Sequence, residues 1–75
     1  MPKRTEQTVK RIRSGDYLAE VEVELQYEEG KDYSPSLSMD DALRVERVFK
    51  ALERNDIEAA SAEATVYRLT PINAA

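Results

Sequence analysis

The chain of 75 residues contains no cysteine, no histidine and no tryptophan, and it has only two glycines. Without cysteine and histidine, thiolate zinc sites, disulfide scaffolds, thiol redox motifs and serine–histidine machinery are excluded. Gly15 and Gly30 stand alone, so no phosphate-cradling loop and no dinucleotide fingerprint can be assembled. Apolar runs are only a few residues long, far short of a bilayer span. The opening Met1-Pro2-Lys3-Arg4-Thr5-Glu6 lacks the apolar stretch of a secretory signal, so a cytoplasmic location is the expectation. No cofactor and no metal are expected, and enzymatic activity is not.

What is present is a charged, moderately apolar chain: 41% hydrophobic residues, 35% charged ones, and fifteen acids against eleven bases. This composition describes one small globular domain over residues 1–75, too apolar for a disordered polyelectrolyte. A domain of this size buries only about 60% of the surface its unfolded chain exposes, so a monomer is marginally stable. With no disulfide or zinc to help, a homodimer that enlarges the core is the expected state. The net charge of −4 conceals an asymmetry, because residues 1–14 hold five bases and one acid. Residues 15–63 hold fourteen acids and five bases.

Period-two alternation marks Asp16 to Tyr27 as a strand. Tyr17, Ala19, Val21, Val23, Leu25 and Tyr27 form its apolar face, and Glu20, Glu22 and Glu24 stand on the other. Thr5 to Arg13 reads as a preceding strand, joined through Ser14-Gly15 in a hairpin. A two-residue Ser14-Gly15 loop places Val9 on the polar face opposite Glu20, whereas a one-residue bulge would turn it inward. Residues 28–38 read as a loop, and Ser38 with Asp41 forms a capping-box-like start to a helix over about 39–54. Ala42, Val45, Val48, Phe49 and Leu52 supply its apolar stripe. A short extra helix is a candidate at 56–62, Ala64 to Thr70 suits a third strand ending at Pro71, and 71–75 reads as a frayed tail. The expected architecture is α+β, a β-β-α-β unit with one amphipathic helix on a three-stranded, mainly antiparallel sheet. The third strand is placed beside the first, in order 3-1-2.

Two surfaces are candidates for function. On the helix, Arg47, Lys50 and Arg54 cluster within about 60° of the circumference, with Arg44 about 60° further round and Leu43 among them. A cationic sector around an exposed leucine suits docking of an acidic partner, although pairing with Asp40, Asp41 and Glu46 explains the same charges. Tyr33, an aromatic in a polar loop, is a candidate interface anchor. The second surface is the basic head, with Lys3, Arg4, Lys10 and Arg11 as candidate nucleic-acid contacts. Lys3 to Lys10 resembles the opening strand of a ribbon-helix-helix repressor over fewer than ten residues. A second strand then follows where that family has a helix, so no base-reading residue is carried over. Cross-hairpin pairing of Lys10, Arg11 and Arg13 with Asp16 and Glu20 is the preferred account of these basic charges.

Together these readings describe a non-enzymatic domain acting through protein contacts, expected to be a homodimer. Nucleic-acid binding through the basic strand is the alternative. An unpaired sheet edge or the helix face around Leu43 is the expected joint, and in a 3-1-2 sheet the preferred edge is the second strand.

Overall fold

The structure, a computed structural model, describes residues 4–27 and 35–73. Two strands of eleven residues, β1 (Arg4–Ser14) and β2 (Tyr17–Tyr27), form a hairpin around the two-residue turn Gly15-Asp16. Gly15 adopts a φ of +59°, the left-handed region that glycine reaches without a Cβ clash, and this closes the turn tightly. Pairing is continuous from Ser14↔Tyr17 to Arg4↔Tyr27, with no bulge. The turn is therefore one residue later than Ser14-Gly15, and Val9 sits opposite Glu22 rather than Glu20. Its face is nonetheless the polar one, because a two-residue shift in register preserves the alternation.

The remaining elements are β3 (Ser36–Leu37), α1 (Met39–Glu53), α2 (Ile57–Ser61) and β4 (Thr65–Arg68). The fold is α+β, a mainly antiparallel sheet of four strands with a helix packed against it. Two features depart from the three-stranded 3-1-2 order. The last strand pairs with β2, not β1, through Tyr17↔Arg68 to Glu20↔Thr65. A two-residue β3, inside the segment read as loop, pairs with the far end of the same edge of β2 through Leu25↔Leu37 and Gln26↔Ser36. Consequently β2 is central and β1 is the edge.

The direction of β4 follows from α2. A single crossover helix would return the chain parallel to β2. Here Asn55, at φ 59°, ends α1 in the left-handed conformation, and the Asp56 side chain caps α2 by accepting from the Ala59 N–H. The extra helical turn reverses the chain once more, so β4 enters antiparallel. The short helix expected at 56–62 is present as Ile57–Ser61 and precedes this change of direction.

The N-terminus of α1 carries the expected cap: Ser38 Oγ accepts from the Asp41 N–H at 3.1 Å, and Asp40 and Asp41 occupy the first turn. Its buried face is rotated from the predicted stripe. Val48, Ala51 and Leu52 are buried, as is Asp41, while Ala42 is exposed and Phe49 remains 39% exposed. The core comprises Ile12, Ala19, Val21, Val23, Val48, Ala51, Leu52 and Ala60, with Val21 and Val48 its largest fully buried side chains. That is a small core, made of short side chains. Val45, Ile57, Ala59, Ala64 and Val66 extend it. Most of β1 lies outside it: of Arg4 to Ser14, only Ile12 is buried.

No helix of the described residues is long and apolar enough to cross a membrane. Ile72, beyond β4, is fully exposed.

Candidate functional site

The two edges of the hairpin differ in how their backbone groups are satisfied. On the β2 side, β4 covers residues 17–20 and β3 covers residues 25 and 26, which leaves a gap between them. Side chains from α1 fill it. Asp41 accepts from the Glu24 backbone N–H at 2.8 Å, and Arg44 donates to the Glu22 carbonyl at 2.8 Å. The two side chains also pair with each other at 2.8 Å. A carboxylate and a guanidinium, three residues apart on one helix, thereby supply the acceptor and donor that a neighbouring strand would supply. This explains why Asp41 is buried and why Arg44, expected on an open docking face, is instead half-buried and structurally engaged. An open polar groove of about 350 Å³ lies beside this pair, lined by Gln7, Glu22, Glu24 and Asp40 among others.

The β1 side has no such cover among the described residues. Alternation in an antiparallel ladder decides which β1 groups point outward. Because the Glu24 N–H and Glu22 C=O turn away from β1, the pairs Gln7↔Glu24 and Val9↔Glu22 are the non-hydrogen-bonded kind. By the same alternation Thr5, Gln7, Val9, Arg11 and Arg13 aim their N–H and C=O groups out along the free edge. Arg4 to Arg11 are all exposed, including Val9 at 38%. On the helix face, Phe49 and Ala42 lie on the flank of α1 opposite Arg44 and Ala51. Since Arg44 reaches the outer edge of β2, the Phe49 flank faces the β1 side.

The cations of β1 are partly occupied within the hairpin. Arg11 pairs with Glu20 at 3.2 Å, and the Arg4 guanidinium lies 4.4 Å from the centre of the Tyr27 ring. The Tyr27 hydroxyl donates to Glu6 at 2.9 Å, and this hydrogen bond holds the phenol above its ordinary pKa. Arg13 bonds locally to the Gly15 carbonyl at 3.5 Å. At the other end of β2, Arg68 covers the Tyr17 ring and donates to its hydroxyl. Lys10 is exposed on the helix side, opposite Val21. Lys3 and Tyr33, the other candidates of the head and the loop, lie outside the described residues.

On α1, Leu43 is 43% exposed, in the sector shared with Arg47, Lys50 and Arg54. Each cation there has an acidic neighbour. Arg47 makes two hydrogen bonds to Glu63, at 2.9 and 2.6 Å, while Lys50 lies 3.9 Å from Glu46 and Arg54 3.6 Å from Asp56. The bidentate bond lowers the Glu63 carboxyl below its usual range and raises Arg47. Arg47, Lys50 and Arg54 line a shallow groove of about 220 Å³ against Ala59 and Glu63 of the following segment. The structure therefore separates Arg44 from this group and neutralises the other three locally.

Sequence reasoning missed two things, the Asp41–Arg44 clip and the free edge on β1. Their i,i+3 spacing was readable as an ion pair, but their backbone partners are 17 and 22 residues away in sequence. No known protein family, curated protein or solved structure matches the chain.

Proposed function

We propose that this is a non-enzymatic domain that acts through contacts with other proteins, and that its working surface is the outer edge of β1. One observation carries the reading: an eleven-residue edge strand whose outward backbone groups, at Thr5, Gln7, Val9, Arg11 and Arg13, have no cover among the described residues. A strand of this length presents a template for β-augmentation, in which main-chain hydrogen bonds give affinity and alternate side chains give selectivity. The contrast with the clipped edge of β2 strengthens the point, since there even a short gap receives side-chain partners. Local neutralisation of Arg47, Lys50 and Arg54 makes the helix surface around Leu43 the lesser candidate. Engagement of Arg4 by Tyr27 and of Arg11 by Glu20 weighs against the nucleic-acid alternative.

The test is retention of partners from the native host by the wild-type chain, by Val9→Pro, and by a helix variant carrying Arg47→Glu and Lys50→Glu. Proline at Val9 removes a central outward donor without touching a bond to β2. Loss of retained protein in Val9→Pro, with retention by the helix variant, is the expected result. Retention that ignores Val9→Pro, or that consists of nucleic acid lost at elevated salt, overturns it.

A further inference from the structure

We propose that the partner of the β1 edge is a second copy of this chain, paired antiparallel about Thr8, so that Glu6 of each copy faces Lys10 of the other. The inference rests on the edge reading above and adds the occupant and its register. It is the charge order along β1 that selects them.

Outward groups at odd-numbered residues allow only registers in which odd faces odd and even faces even. Among registers with two-fold symmetry, one centred on Arg11 sets Arg11 against itself, and one centred on Lys10 sets Lys10 against itself. Centring on Gln7 opposes Arg4 and Lys10. Centring on Val9 avoids like charges but forms no pair of opposite charges, since Glu6 then faces Ile12 and Lys10 faces Thr8. Centring on Thr8 sets Glu6 against Lys10 at both ends, Gln7 against Val9, Thr5 against Arg11, Arg4 against Ile12, and Thr8 against Thr8. Opposite charges across a strand pair are stabilising and like charges destabilising, so β1 is complementary to its own reverse in this register.

The geometry adds a second argument. A two-fold axis relating antiparallel strands in one sheet stands perpendicular to the sheet, so both α1 helices lie on the same face. The flanks bearing half-exposed Phe49 then overlook the seam from either side, which gives that side chain a place to be buried. Joining the copies covers the β1 edge of each and makes one continuous antiparallel sheet, with β3 and β4 outermost.

The test combines mass in solution with two sets of variants. Light scattering of the wild-type chain is expected to give twice its 8.5 kDa. Thr8→Cys, in a chain that otherwise has no cysteine, is expected to form a disulfide dimer on mild oxidation, because facing residues of a non-hydrogen-bonded pair come within disulfide reach. Glu6→Lys alone and Lys10→Glu alone should each weaken association about tenfold or more. An equimolar mixture of the two should restore it as a heterodimer, and so should the double variant. That rescue separates the interchain role of Glu6 from its bond to Tyr27, which both Glu6→Lys chains lose. A dimer that neither cross-links through Thr8→Cys nor shows charge rescue overturns the proposal. A chain that stays monomeric at every concentration also overturns it, and leaves the edge reading standing if retention of another protein remains sensitive to Val9→Pro. Indifference of both mass and retention to Val9→Pro removes both readings.

Discussion

The two edges of the β1–β2 hairpin are built from strands of equal length, yet the protein treats them differently. Along β2, β4 and β3 pair with the ends, and Asp41 and Arg44 bridge what lies between. Along β1, no described residue pairs with the outward groups from Thr5 to Arg13. The burial follows the same division: β2 contributes Ala19, Val21 and Val23 to the core, and β1 contributes Ile12. The β2 edge is closed, whereas the outer edge of β1 has no partner among the described residues.

Substitutions can break this comparison, and the largest effect is expected on the closed edge. Asp41→Ala leaves the Glu24 N–H and the half-buried Arg44 without their partner, and should cost about 2–3 kcal/mol in urea unfolding. Arg44→Ala removes the donor to the Glu22 carbonyl while leaving Asp41 bonded to backbone, and about 1–2 kcal/mol is expected. On the open edge, Val9→Pro should change the stability of the monomer by less than about 0.5 kcal/mol, measured at concentrations where no assembly forms. A loss on Val9→Pro as large as that of Asp41→Ala would show that β1 is paired within its own chain.

The smallest effect belongs to the Arg47–Glu63 pair on the exposed side of the helices. Glu63 is held below its usual range, so its contribution is present above the ordinary carboxyl range and is lost as pH falls through the lowered value. Wild type and Glu63→Gln should therefore differ slightly in urea midpoint at about pH 6 and converge at about pH 3. Added salt should shrink the difference at the higher pH, as for any exposed pair.

Much of the fold was legible along the chain because it is written in local pattern. Alternation from Tyr17 to Tyr27 gave β2, and Ser38 with Asp41 gave the start of α1. The features that were not legible depend on distant partners. Asp41 reads as a solvated first-turn acid until the gap on β2 is known. Phe49 reads as core by spacing, but it lies on the flank of α1 away from Arg44 and remains 39% exposed. The direction of β4 follows a short α2, five residues whose alanines and glutamate suit a helix without fixing where the chain goes next. Of the candidate residues, Arg4, Lys10 and Arg11 lie on β1. The property that distinguishes β1, an outer edge with no partner among the described residues, became visible only once β4 was seen beside β2.

Amide hydrogen exchange along β1, followed as protein concentration rises, tests the central claim most directly. Glu6, Thr8, Lys10 and Ile12 donate toward β2 and should be protected throughout, whereas Gln7, Val9 and Arg11 should exchange freely in dilute solution and become protected as the edge is occupied. If Gln7, Val9 and Arg11 exchange freely at every concentration while light scattering reports an assembled species, the joint lies elsewhere and β1 is not the working edge.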